Sequence, residues 1–199
     1  FNFIYLEYDL FYYIMKKLTI FSGSKTPSNS LDSNDLINQI THIGNTLDIN
    51  EYEIWYGGGD TGLMGILPKT FFNRNGTVFA VDAKQFTDIY GVPDFCTTII
   101  KDTLQERQNG LLNNGNIFLC LPGGVGTVSE LLDVLVRNDT SKKKQYIIVF
   151  SWKDYFLDIE NFIKNKISTG FVDKKILKHL HFFKTSKEIL HFLEELTDF

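Results

Sequence analysis

"LPGGVGTVSELL" (residues 121–132) joins the end of an apolar, β-rich run to the start of an amphipathic one. Glycine loses more backbone freedom on folding than any other residue type, and Gly123, Gly124 and Gly126 sit together here. Such a cluster belongs where the backbone turns sharply or stays bare for a ligand to approach. Glu130 follows four residues after Gly126, and Thr127-x-x-Glu130 is the spacing of a capping box. From spacing alone the capping role is favoured, with a ligand role as the alternative.

Outward from this segment the chain alternates two kinds of pattern. Strand candidates are 18–22, 52–57, 77–82, 95–100, 116–121, 145–150 and 181–184, mostly apolar throughout rather than alternating. That is the pattern of strands covered on both faces. Helical patterns run over 30–48, 61–75, 102–114, 127–138, 154–168 and 186–197, with Pro68 expected to kink or interrupt the second. Strand–helix alternation with short connections predicts an α/β fold: a Rossmann-like three-layer sandwich on a mostly parallel sheet of about seven strands. One such domain is expected over 15–199. Residues 1–14, aromatic-rich but interrupted by Glu7 and Asp9, are expected to be an N-terminal extension. A genuine aromatic arm packing on a partner is the alternative.

In sheets of this kind ligands bind beyond the carboxyl ends of the strands, where strand order reverses. Three loops there are unusual: SGSKTPSNS after the first strand, GGGDTGLMG after the second and PGGVGT after the fifth. Glycine-rich loops that open helices expose N–H groups suited to phosphate. Gly57, Gly58, Gly59 and Gly62 form one candidate phosphate loop; Gly123, Gly124, Val125, Gly126, Thr127, Val128 and Ser129 form the other. The first also reads as a dinucleotide fingerprint, Gly57-x-Gly59-x-x-Gly62, with Asp82 about twenty residues on as the ribose acid. A complete strand and helix precede it, however, and it leaves PGGVGTVSE unexplained. A dinucleotide-binding oxidoreductase is therefore the runner-up. Arg107 is the only arginine between Arg74 and Arg137, and a guanidinium fork suits carboxylate or phosphate better than lysine does.

Two segments, YGGGDTGLMG (56–65) and LPGGVGTVSELLDVL (121–135), resemble the signature segments of the LONELY GUY family, and FSGS (21–24) resembles its first-strand end. That family comprises cytokinin-activating nucleoside 5′-monophosphate phosphoribohydrolases, often mislabelled lysine decarboxylases. The resemblance implies cleavage of the N-glycosidic bond of AMP or an N6-modified AMP, giving free base and ribose 5-phosphate. It puts the family's glutamate on Glu130 and its arginine on Arg107, the catalytic candidates, with Gln108 beside them. It further implies a homodimer, with the helices carrying Arg107 and Glu130 as interface elements. The match to the family's MHxRKxxM segment is partial: Leu104, Gln105, Gln108 and Leu111 replace its methionines, histidine and lysine. Val136 and Arg137 stand where a threonine–tryptophan pair is common. These departures bear on the choice of base and leave a nucleotide-binding module without turnover as the reading from another class. The expected chemistry has Glu130 ionised, holding ribose hydroxyls as oxocarbenium character develops, with Arg107 as an electrostatic anchor.

Composition narrows the classes. A net charge of -4, with Lys142–Lys144 the one short basic run, gives no case for a nucleic-acid partner. Cys96 and Cys120 sit in apolar runs and read as buried free thiols of a reducing compartment, consistent with a cytoplasmic protein. His179-x-His181 fits the approach to a strand better than zinc ligation. No metal, cofactor or membrane span is expected.

Overall fold

The computed structural model describes residues 15–27, 30–141 and 144–196. The stretch 1–14 and most of the lysine run 142–144 lie outside the described residues. Seven strands, β1 (Lys16–Phe21), β2 (Tyr52–Tyr56), β3 (Thr77–Ala83), β4 (Thr97–Lys101), β5 (Ile117–Cys120), β6 (Tyr146–Phe150) and β7 (Leu180–Phe183), form one sheet. Their order is β4-β3-β2-β1-β5-β6-β7, and every ladder is parallel. Each strand candidate is therefore found, within one or two residues at its ends.

The chain winds outward from β1 to β4, returns to the far side of β1 at β5, and winds out again to β7. Strand order thus reverses between β1 and β5, whose register pairs Ile20 with Leu119 and Phe21 with Cys120. The two loops leaving these strands are SGSKTPSNS and PGGVGT. The topology brings them to one crevice.

Helices cover both faces, as the apolar strands require. On one face lie α1 (Ser30–Thr46), α2 (Ile66–Phe72) and α7 (Ser186–Glu195). There α1 buries Leu36, Ile40, Ile43 and Leu47 on a single stripe. Full burial of each such side chain contributes about 1.5–3 kcal/mol. On the other face lie α4 (Leu104–Asn114), α5 (Val125–Thr140) and α6 (Leu157–Ser168), anchored by Leu111, Leu131, Val134 and Ile163. A short helix, α3 (Lys84–Tyr90), buries none of its residues, so no apolar stripe announces it in the sequence.

Four expectations need correction. The helix expected over 61–75 starts only at Ile66, because Gly58 (φ 84°) and Gly62 (φ 63°) hold the preceding loop in left-handed conformations. Pro68 then falls in the first turn of α2, where its missing N–H breaks no helical bond, and it produces no interruption. Thr127 caps nothing: α5 begins at Val125 with Gly124 as its N-cap and no side-chain cap. Capping boxes do form at Thr103–Glu106 before α4 and at Thr185–Glu188 before α7. Cys96 is partly exposed rather than buried, while Cys120 is buried; both are free. His181 lies on β7 and His179 just before it.

Candidate active site

A cleft of about 580 Å³ opens at the β1–β5 switch point. One wall is the loop after β1, residues 22–27; the opposite wall is residues 122–127 at the start of α5. Arg107 of α4 and Glu130 of α5 line its depth, and Tyr155 stands at its edge.

Arg107 is placed by the Thr103–Glu106 capping box, which starts α4 at Leu104, so that the Arg107 amide makes the first helical bond, to the Thr103 carbonyl at 3.0 Å. Its side chain is only 13% exposed and meets three acceptors. Nη2 donates to the Gly57 carbonyl at 3.1 Å, Nη1 lies 3.5 Å from Glu130 Oε1, and Nε faces Asp82 Oδ1 at 3.7 Å. The last distance is too long for a hydrogen bond, and Nε has no hydrogen-bond partner. Asp82, at the end of β3, is buried and accepts from the Ala83 amide at 2.8 Å. Two carboxylates therefore share one guanidinium.

Glu130 lies one turn inside α5, its side chain 15% exposed. Burial pushes its carboxyl up to about 7, against the pull of Arg107 and with a further push from Asp133. The expectation of a fully ionised Glu130 is thereby corrected: near neutral pH it exists in both forms. Burial likewise raises Asp82, with Ala83 and Arg107 opposing.

The start of α5 is bare. Helix geometry leaves the amides of Val125, Gly126 and Thr127 without intrahelical partners, and Gly124 offers no side chain to take them. Gly124, Val125 and Gly126 are exposed on the cleft, and a Cβ at Gly124 or Gly126 would meet nothing within 4 Å. Gly123 differs: a Cβ there would overlap the buried Thr127 hydroxyl and come within 2.7 Å of the Gly23 nitrogen. It is needed for the close approach of the two loops. Val128 and Ser129 do not line the cleft; Val128 packs toward the core and Ser129 is exposed.

The other glycine loop has a supporting part. Gly57, Gly58, Gly59 and Gly62 are not among the residues lining the cleft. A Cβ at Gly57 would overlap Arg107 Nη2, one at Gly58 would sit 2.8 Å from Asp82 Oδ2, and one at Gly59 would sit 2.7 Å from Met64 Sδ. At Gly62 it would run into the Ser24–Lys25 backbone. The loop thus lets Arg107 and Asp82 close up from below and supports the β1 loop. Gly62→Ala combines left-handed strain with a backbone clash, so a loss of at least about 1–2 kcal/mol is expected; a melting curve checks it. This arrangement also removes the dinucleotide reading's ribose acid, because Asp82 lies beneath Gly58 facing Arg107.

Gln108 does not reach the cleft; its amide donates to Asp133 on α5. Arg137 donates to Asn113 at 2.6 Å, a second tie between α4 and α5. Residues not named individually as candidates also line the cleft: Ser22 and Lys25 of SGSKTPSNS, Leu63 and Met64 of GGGDTGLMG, and Tyr155, which no flagged loop contains. The Tyr155 hydroxyl donates to the Gly123 carbonyl at 2.9 Å. Its signal was faint, since Tyr155 follows two non-glycine residues with positive φ, Lys153 (47°) and Asp154 (61°), that no local motif marks. Among the described residues there is no His/Cys/Asp/Glu group able to hold a metal, and no helix is long and apolar enough to cross a membrane.

A parallel sheet with a cleft at its switch point defines the class: a Rossmann-like α/β protein with its cleft where folds of this kind bind ligands. The chain belongs to the family described as "possible lysine decarboxylase", whose model matches residues 54–193. It is similar to cytokinin riboside 5′-monophosphate phosphoribohydrolase LOG1 of Arabidopsis thaliana, at 25% identity over 182 residues, 90% of this chain and 83% of that protein. It is also similar to the cytokinin riboside 5′-monophosphate phosphoribohydrolase of Rhodococcoides fascians, at 26% identity over 160 residues, 79% of this chain and 78% of that protein. The resemblance to the LONELY GUY family read from the two glycine-rich segments is thus shared by most of the chain. The fold is shared with the molybdenum cofactor carrier protein of Chlamydomonas reinhardtii (TM-score 0.67, 14% identity, 92% of this chain and 98% of that one). The molybdenum cofactor binding protein of Rippkaea orientalis has it too (TM-score 0.65, 13% identity, 92% and 97%).

Proposed function

We propose that this protein is a nucleoside 5′-monophosphate phosphoribohydrolase, cleaving AMP or an N6-modified AMP to free base and ribose 5-phosphate. The observation that carries the reading is the Arg107–Glu130 pair in the same cleft as the uncapped start of α5. The amides of residues 125–127 take the phosphate, aided by the positive end of the helix. Glu130, one turn further, meets the ribose. As the C1′–N bond breaks, its electron pair leaves on the base nitrogen and positive charge grows on the sugar. The Glu130 carboxylate stabilises that charge. Water oxygen bonds to C1′, one water proton passes through Glu130, and the base takes a proton from solvent. Arg107 holds Glu130 in place and keeps its ionised form accessible despite burial. The reading needs no cofactor, and it carries the family's homodimer and a cytoplasmic setting with it.

Incubation with AMP and N6-isopentenyl-AMP, followed by chromatography for free base, tests the reading. No base above a Glu130→Ala control overturns it for these substrates. A nucleotide-binding module without turnover is the second reading, favoured by Gln108, which places a neutral amide bound to Asp133 where the family has a lysine. Tight AMP binding with no base release is its signature.

The ionised form of Glu130 does the work, and its carboxyl titrates at about 7. The rate constant kcat/KM is therefore expected to fall on the acid side of about pH 7 and level off above it. A profile flat from pH 5 to 8 contradicts this assignment.

A further inference from the structure

Arg107 and the start of α5 alone leave a phosphate in this cleft short of positive charge. Arg107 faces Asp82, Glu130 and the Gly57 carbonyl, so its single positive charge is already shared by two carboxylates. A phosphate monoester brings about -1.5 to -2 at neutral pH, and a helix start offers about half a charge. Lys25 lines the cleft from the β1 loop, is exposed, and has no ion-pair partner among the described residues.

The loop that carries it is fixed rather than loose. The Leu63 amide donates to the Gly23 carbonyl at 3.1 Å, the Thr61 hydroxyl to the Ser24 carbonyl at 3.3 Å, and Gly62 packs on the Ser24–Lys25 peptide. A second, independent feature points to a polar ligand in the same cleft. Ser22, 5% exposed and lining it, has a buried hydroxyl with no hydrogen-bond partner. Buried hydroxyls are seldom left so, and a bound ligand supplies the missing partner.

We propose that Lys25 is the specificity-determining cation of this cleft, selecting phosphorylated nucleotides over nucleosides by facing the phosphate across from the start of α5. The proposal rests on the nucleotide reading of the cleft but not on turnover. Its surface position means that Lys25→Ala leaves the fold intact, so binding can be read directly.

Titration calorimetry of the wild type, Lys25→Ala and Lys25→Arg with AMP, adenosine and inorganic phosphate is the test. Lys25→Ala is expected to weaken AMP and inorganic phosphate about tenfold, leave adenosine unchanged and flatten the salt dependence of AMP binding. Lys25→Arg is expected to restore most of the AMP affinity. If turnover is present, KM for AMP rises by the same factor while kcat stays within about twofold, as for a group that binds ground and transition states alike. Ser22→Ala is expected to keep or raise the melting temperature, because it removes an unsatisfied buried hydroxyl, while weakening AMP. AMP affinity unchanged in Lys25→Ala overturns the proposal and leaves the hydrolase reading standing. Lys25-dependent AMP binding without base release does the reverse. A wild type that binds AMP no better than adenosine overturns the proposal together with the phosphate site.

Discussion

Glu130→Gln is expected to lower base release by about 10²–10³-fold, the loss typical of removing one electrostatic contact to a transition state. The same change is expected to stabilise the fold above neutral pH. Glutamine has the shape of protonated glutamate, and burial makes the protonated form the one the fold prefers. The sign follows from linkage. The folded carboxyl titrates at about 7 against an ordinary value of 4.5, so its stabilising contribution is full below about pH 4.5. That contribution is lost as the pH rises through about 7, where a buried carboxylate must be held charged. The variant and the wild type should therefore melt together below about pH 4 and separate by pH 8, with the variant higher. The gap is bounded by about 3 kcal/mol, a figure from which the attraction of Arg107 has already been taken, since the carboxyl stands at about 7 with that attraction included. Melting curves at the two pH values and base release at pH 8 read both effects on one protein. Equal turnover in the variant would remove Glu130 from the chemistry. A variant less stable than the wild type at pH 8 would mean that the ion pair outweighs desolvation, contrary to a buried carboxyl raised to about 7.

The parts of this site that the sequence made legible are those encoded by local pattern. Continuous apolar runs specify strands buried on both faces, and their alternation with helical stripes specifies a parallel sheet; hence all seven strands were found. α3 was missed because a seven-residue helix that buries none of its residues leaves no period to read. At the site, Arg107 and Glu130 were found from their segments, but their 3.5 Å contact is a tertiary fact that spacing does not contain. Thr127-x-x-Glu130 shows the limit from the other side. A capping box needs Thr127 outside the helix, and the bare Gly124 lets α5 start two residues before it. Glu130 is thereby freed from the helix end and turned toward Arg107. The glycines of 57–62 were legible as necessary but not as to why, since their neighbours, Arg107, Asp82 and Ser24, come from other parts of the chain.

Gly124→Val is expected to weaken AMP by about 100-fold or more while leaving the melting temperature unchanged. At this position the backbone is extended (φ -82°, ψ -159°), a region open to branched residues, and a Cβ would meet nothing within 4 Å. The folded chain therefore has no reason of its own to exclude a side chain here. A phosphate bound at the amides of 125–127 does have one, because an isopropyl group would occupy the space it must cross. Loss of two charge-assisted hydrogen bonds, each about 1.5–3 kcal/mol, corresponds to at least the stated factor. Gly123→Ala is the internal contrast. Its Cβ would overlap Thr127 and crowd the Gly23 nitrogen, so that variant is expected to lose stability first and binding as a consequence. Calorimetric AMP titration and thermal melting on the two proteins separate a glycine kept bare for a ligand from one kept small for a neighbouring loop. Undiminished AMP affinity in a normally folded Gly124→Val protein would place the phosphate elsewhere, and the start of α5 would then be an uncapped helix end with no part in binding.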